Sequence, residues 1–392
     1  MQAFEFYGVG RVVFGRGKFA AVGELAAGLG RAALVIYNGN GVVDRLIERL
    51  TAAGVAATLR RQRGEPVAAD VDAAVQEAQR HGCDCVIGLG GGSAIDAAKA
   101  VAALLANGGA AVDYMEIVGK GQKITRPATP WMAIPVTGGT GAEATRNAVI
   151  GFPQKRFKAS IRSELLLPRV ALVDPELGLK VPPEITARCG MDALCQLIES
   201  YTSTGASPVS DALALRGIGV AARCLPQAYR DGQDLDAREG MALAALLSGI
   251  TLTSAGLGAV HGFAAPLGAN FPVPHGTVCA ALLPHIIRAN VNALRWQIAA
   301  AESPALARYA NIGRQLPEYE HAADDKAIDA CLGFTADLVR ELNIPPLKQF
   351  GLLPSHVPEM VALARQTSSI RFNPAVLGDD ALAAALTAAI GP

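Results

Sequence analysis

An excess of charge of either sign is absent from this sequence: 35 basic residues are matched by 35 acidic ones, and no dense Lys/Arg run appears. A nucleic-acid binder neutralises phosphates with clustered cations, so no nucleic-acid partner is expected. Also missing is any regular cysteine spacing, since the seven cysteines are scattered over 392 residues. That excludes the disulfide framework of a small secreted domain and points to a reduced, cytoplasmic compartment. The N-terminus, Met1-Gln2-Ala3-Phe4-Glu5-Phe6, has neither the basic region nor the apolar core of a signal peptide. No internal repeat and no low-complexity linker is found.

Asp, Glu, Lys and Arg are all missing from Gly240 to Ile287, and Met241–Val260 has the length to cross a bilayer. However, Gly249, Gly256 and Gly258, then Pro266, Pro272 and Pro274, are expected to break a helix there, and basic flanks are lacking. The segment reads as buried core wrapped around a site, with no membrane partner.

What is present is material for a large core: 51% hydrophobic and 18% charged residues. At roughly 100–200 residues per domain, the length favours two domains. Ala32–Tyr37, Ala56–Leu59, Cys85–Leu89, Trp131–Pro135 and Val170–Val173 read as strands. Helical spacing over Val42–Ala53, Val71–His81 and Ala94–Asn107 alternates with the first three, which argues for a parallel sheet covered on both faces. After Asp174-Pro175 the β-branched runs stop. Ala/Leu-rich helical stretches follow at Ala212–Cys224, Ala237–Leu247, Ala327–Leu342, Pro358–Arg365 and Asp379–Ile390. The fold class is therefore an N-terminal α/β domain over residues 1–178 and an all-helical C-terminal domain over 179–392.

Two glycine-rich turns follow strands. In Val86-Ile87-Gly88-Leu89-Gly90-Gly91-Gly92-Ser93-Ala94-Ile95-Asp96 a strand passes through glycines into a helix. Glycines let the backbone approach a phosphate closely, and the first free amides of the helix then face the anion. Ser93 adds a hydroxyl, or acts simply as an N-cap. No Lys-Ser/Thr pair follows, so this is no P-loop. The second run, Pro135 to Glu143, offers the hydroxyls of Thr137 and Thr140 for the same cleft, or is only a tight loop.

Asp192 and Gln196 stand four apart on one helix face, and His261 and His275 fall inside the uncharged segment. A carboxylate with two imidazoles suits a divalent metal such as Zn or Fe with positions left open for substrate. Read without that metal, they are two satisfied core histidines and a surface aspartate.

Taken together, GGGSAID at 90–96, GTGAEAT at 139–145, LVDPEL at 172–177, GMDAL at 190–194, AGLGAVHG at 255–262, PHG at 274–276 and LLPH at 282–285 resemble the iron-containing (group III) alcohol dehydrogenases in order and spacing over nearly the whole chain. The resemblance implies a Rossmann-like dinucleotide-binding domain and a helical metal and substrate domain in a dehydroquinate synthase-like arrangement. Metal and nicotinamide would then lie in the cleft between them. It implies hydride transfer between NAD(H) or NADP(H) and a small alcohol or aldehyde, assisted by a divalent metal, Fe or Zn, and a homo-oligomer of two or more chains. By position, Asp192, His261 and His275 would be the catalytic metal ligands. Gly91, Gly92 and Ser93 would carry the pyrophosphate, and Asp96, Thr137, Thr140, Asn147 and Lys158 would line the cofactor cleft.

Three positions depart from the family pattern. Gln196 stands where the family has a fourth ligand, a histidine, and offers a weaker, neutral oxygen. The related glycerol dehydrogenases hold Zn with one Asp and two His, the set that remains here. Ala265 stands where many members have a histidine associated with proton transfer. Asn38, in Asn38-Gly39-Asn40-Gly41, stands where NAD-preferring members carry an aspartate on the adenosine ribose, which keeps NADP(H) open. Leu252 and Phe263 are expected to line a modest apolar substrate pocket. One alternative is a metal-independent reductase of an oxo or unsaturated acid, like the maleylacetate reductases, using Arg146, Lys155 and Arg156 to hold the carboxylate. A non-catalytic dinucleotide-binding protein is the other.

Overall fold

The computed structural model describes residues 3–39, 41–297 and 304–391; Met1, Gln2 and Asn40, named above, lie outside the described residues. The chain divides into two compact units, Tyr7–Val181, and Pro182–Pro392 together with the first six residues.

The first unit is built on a six-stranded sheet. Its strands are β1 (Val12–Phe14), β2 (Ala32–Tyr37), β3 (Ala56–Arg61), β4 (Cys85–Gly90), β5 (Trp131–Pro135) and, after a hairpin of β6 (Asn147–Phe152) and β7 (Phe157–Arg162), β8 (Val170–Val173). The sheet order is β1-β8-β5-β4-β2-β3, with every pairing parallel, while β6 and β7 pair antiparallel in a sheet of their own. Parallel strands covered on both faces lose the polar alternation of a half-exposed strand. In β2, Ala33 and Val35 pack with Val22, Ala26, Leu46 and Leu50 of α1 (Val22–Ala27) and α2 (Val43–Ala52). Leu34 and Ile36 point the other way, into a cluster with Val71, Val75, Ile95 and Val101 of α3 (Ala68–Arg80) and α4 (Gly92–Asn107). A short α5 (Ala111–Tyr114) follows.

The chain runs from β2 outward to β3 and then returns to place β4 on the other side of β2. The carboxyl ends of β2 and β4 therefore flank a topological switch point, where open α/β sheets bind ligands.

The second unit holds α6 (Pro183–Thr202), α7 (Pro208–Arg230), α8 (Leu235–Ala255), α9 (Ala259–Asn270), α10 (His275–Gln297), α11 (Pro304–Gly313), α12 (Asp324–Glu341), α13 (Val357–Ala364) and α14 (Asp379–Ile390). Every residue of α6 from Gly190 to Thr202 is buried, because α7, α8 and α10 all pack on it. The uncharged segment is indeed interrupted, at Gly256–Gly258 and again at Phe271–Pro274. Pro266 and Pro284 do not break it: both sit inside helices, α9 and α10. Each removes one backbone donor, and flanking turns and tertiary packing hold the helix. Among the described residues no single helix is long and apolar enough to cross a membrane, and α8 with α9 passes that test only as a pair bent by 103°.

Candidate functional site

Three helices of the second unit bring one cluster together. Asp192 lies mid-way along α6, His261 in the first turn of α9, and His275 at the first residue of α10. The start of α10 reaches α6 because residue 276 is glycine: a Cβ there would fall 2.2 Å from the Arg188 carbonyl oxygen. His261 Nε2 is 3.3 Å from Asp192 Oδ1, and His275 Nε2 is 3.5 Å from the same oxygen. The sulfur of Cys279, one turn beyond His275 on α10, lies 3.7 Å from His261 Nε2 and 3.6 Å from His275 Nε2. Donor atoms of all four residues fall within 4.8 Å of one another.

Behind His261 stands Glu199, on the same face of α6 as Asp192 and seven residues further on. Its carboxylate accepts from the backbone amides of Val260 at 2.7 Å and His261 at 3.4 Å, two of the first donors of α9. These helix-terminal amides have no intrahelical partner, and a carboxylate suits the positive end of the dipole. The same carboxylate lies 2.6 Å from His261 Nδ1. With Nδ1–H donated there, a neutral His261 presents its Nε2 lone pair toward Asp192.

The electrostatics of the cluster are set by burial against the mutual attraction of its charged groups. Burial opposes a charge on His275, but the Cys279 sulfur and the Asp192 carboxylate overcome it and push the imidazole up to about 10. Burial likewise opposes a charge on His261, and Cys279, Asp192 and Glu199 raise it well above the ordinary histidine value. Burial alone would raise Asp192, yet the two imidazoles override it and hold the carboxyl well below the usual range. A site that draws protons this strongly offers lone pairs that suit a divalent cation, for which protons compete. The His275 side chain is 40% exposed, against 7% for His261 and 2% for Asp192, so the cluster is open on the His275 side.

Gln196, expected beside these ligands, is buried with its amide oxygen accepting the Ser248 hydroxyl at 2.8 Å. Asp192 is not the surface aspartate of the metal-free alternative, being only 1% exposed. Phe263 is fully buried in the hydrophobic core of this unit, packed as core and not as the pocket lining expected of it, whereas Leu252 is partly exposed. Cys279 and Glu199 were not anticipated. Their spacing from His275 and Asp192, four and seven residues on a helix, was the available signal.

In the first unit the glycine turn sits at the switch point. Asn38, just past β2, is turned back onto it: its amide oxygen accepts from the Gly91 amide at 2.8 Å and its amide nitrogen donates to Ser93 Oγ at 2.8 Å. The Gly91 N–H assigned to a phosphate is thus already taken. The N-cap of α4 is Gly91, so Ser93 is not the cap. Gly92 and Ser93 keep amides without an intrahelical partner at the start of a 16-residue helix. A Cβ on Gly92 would lie 2.9 Å from Thr140 Oγ1, and one on Gly91 3.6 Å from Thr137 Oγ1, so both threonine hydroxyls border the turn.

Asp96 Oδ2 accepts from the Val149 amide at 3.1 Å and its Oδ1 pairs with the Lys99 ammonium at 3.5 Å, while Asn147 Oδ1 is buried with no hydrogen-bond partner. Lys158 pairs with Glu65. Of the cationic candidates for a carboxylate, Arg146 lies over the Tyr7 ring at 4.3 Å, and Lys155 and Arg156 form the exposed turn between β6 and β7. Free helix-terminal amides, flanking hydroxyls and the orphaned Asn147 oxygen fit a dinucleotide.

Two family models match, iron-containing alcohol dehydrogenase over residues 10–175 and the Fe-containing alcohol dehydrogenase C-terminal region over residues 186–390. The chain is 33% identical to choline dehydrogenase of Bacillus subtilis over 97% of its own length and 94% of that protein's. It is 34% identical to the NAD-dependent methanol dehydrogenase of Bacillus methanolicus, covering 71% of this chain and 74% of that one. A crystal structure of 1,3-propanediol oxidoreductase superposes with a TM-score of 0.91 at 30% identity, covering 99% of this chain and 100% of the other. The fold, the glycine turn and the full-length similarity together place this chain in the iron-containing alcohol dehydrogenase family.

Proposed function

We propose that Asp192, His261 and His275 hold the divalent metal of an NAD(P)-dependent alcohol dehydrogenase that also works as an aldehyde reductase. The observation that carries this reading is the convergence of their donor atoms, with His261 oriented from behind by Glu199. When bound, the metal supplies Lewis acidity at the substrate oxygen and the nicotinamide gives or takes the hydride. The overall exchange is alcohol plus NAD(P)+ for aldehyde, NAD(P)H and a proton.

The chain's own contributions follow from the geometry. Asp192 brings negative charge to a buried site. Glu199 fixes the His261 tautomer so that Nε2 faces inward. His275 leaves one side open for a small substrate. In the first unit, Gly92, Ser93, Thr137 and Thr140 receive the pyrophosphate, while Asn147 supplies an unpaired oxygen deeper in, beside the Asp96 carboxylate. The names of the relatives span methanol, choline and 1,3-propanediol, which supports a small alcohol or its aldehyde as substrate. Homo-oligomeric assembly in the cytoplasm belongs to the same reading. Seven cysteines without regular spacing support the reducing compartment, and light scattering on the purified protein tests the assembly.

The test pairs turnover with metal analysis. Chelation should abolish alcohol oxidation, and Zn or Fe should restore it. Asp192→Ala/His275→Ala should lose both metal and turnover while retaining NADH binding. Undiminished activity in that double variant would sink the proposal.

A further inference from the structure

We infer that Cys279 is a fourth protein ligand of the metal centre, so that this chain surrounds the ion with an Asp192–His261–His275–Cys279 set and the substrate oxygen adds as a fifth ligand from the open His275 side. The inference rests on the reading that the first three residues hold a divalent metal.

Its basis is the shape of the cluster. Tetrahedral zinc has bonds of about 2.3 Å to sulfur and about 2.0–2.2 Å to nitrogen and oxygen, which set ligand-to-ligand edges near 3.6 Å for S–N and near 3.4 Å for N–O. The structure has S–N edges of 3.6 and 3.7 Å from Cys279 and N–O edges of 3.3 and 3.5 Å to Asp192. Four of the six ligand-to-ligand edges therefore match those such an ion requires, and the remaining two are no longer than 4.8 Å.

A buried cysteine is more often a small apolar filler. Here Cys279 is fully buried, but its sulfur faces two imidazole nitrogens on the side that Asp192 also faces. Cys195 is the internal contrast. Its sulfur is 3.9 Å from His261 Nδ1, a nitrogen that Glu199 already engages at 2.6 Å, so Cys195 borders the outer edge of the ring.

Two consequences follow. Coordination exchanges the thiol proton for the metal, releasing one proton to solvent and leaving two anionic ligands against a dication. A thiolate also shifts the site's preference from iron toward zinc.

Cobalt(II) added to the metal-free protein distinguishes the outcomes. A near-ultraviolet sulfur-to-cobalt charge-transfer band, together with the visible bands of tetrahedral cobalt, is expected in the wild type and in Cys195→Ala. The charge-transfer band should vanish in Cys279→Ser, with zinc affinity, measured by chelator competition, lowered at least about 100-fold, more than loss of an outer hydrogen-bond partner costs. X-ray absorption of the zinc-loaded wild type needs no variant and should show one sulfur scatterer at about 2.3 Å. Cobalt bound with no charge-transfer band, or no sulfur around zinc, would overturn the role of Cys279 while leaving the three-ligand site intact. Failure of cobalt to bind at all would overturn both.

Discussion

Asn38 ends β2 with its side chain folded back on the glycine turn, closing one hydrogen bond to the Gly91 amide and one to Ser93. In that position it braces the glycine turn, and bracing and ribose reading predict different outcomes for Asn38→Asp. A ribose reader turned acidic would keep NAD(H) and lose NADP(H). A brace turned acidic puts a negative charge at the helix start proposed above to receive the pyrophosphate. The expectation is therefore weaker binding of both dinucleotides, by about tenfold each or roughly 1.4 kcal/mol, in fluorescence titrations. Selective loss of NADP(H) would overturn the bracing role. The sequence identified residue 38 as a position of interest through its neutral side chain after a strand, but the direction of that side chain depends on β2 and β4 being neighbours. The same holds for Glu199 and Cys279: each lay at helical spacing from a recognised ligand, yet only the meeting of α6, α9 and α10 gives them a shared target.

At the scale of elements, the loop of residues 139–145 is held against α4 by one amine. Lys99 is fully buried, and its Nζ donates to the carbonyls of Ala142 and Asn147 at 2.9 and 2.7 Å and to Thr145 Oγ1 at 2.6 Å, with Asp96 Oδ1 3.5 Å away. Burial works against the charge on both Lys99 and Asp96, and each partly restores the other. Lys99→Met would strand Asp96 and three acceptors, a change that typically costs about 3–5 kcal/mol in a buried pair. A lower Tm is expected, with dinucleotide affinity falling more than the metal content, since Thr140 rides on the released loop. Unchanged dinucleotide affinity would show that the loop keeps its place without the amine.

The elements that were legible are those whose signal is strong: β4, β5 and β8 are apolar throughout and buried throughout. The β6–β7 hairpin was not, because exposed Val149 masks the alternation of buried Ala148 and Ile150, and Ala159 is a weak partner to Ile161. β1 has only three residues, too few for a period. Pro266 misled in the other direction, since tertiary packing of α9 outweighs one missing donor.

For the whole molecule, equal numbers of acidic and basic residues mean that self-repulsion changes little around neutral pH. The pH dependence of stability then falls to a few buried groups. The metal ligands are common to the wild type and a Glu143 variant, so comparing the two isolates the contribution of the first unit. Glu143 is 2% exposed in the 139–145 loop, and burial pushes its carboxyl up to about 7 from an ordinary 4.5. A carboxyl raised in the folded state keeps its proton after the unfolded chain has lost it. Its contribution is complete below about pH 4.5 and is lost as pH rises through about 7, by at most about 3 kcal/mol in all. Glu143→Gln keeps the shape and has no proton to lose. Urea unfolding of the metal-loaded protein at several pH values between about 5 and 8 should show wild type losing stability relative to Glu143→Gln as pH rises. Parallel profiles would mean that Glu143 ionises normally and that water or Lys99 reaches it in the folded protein.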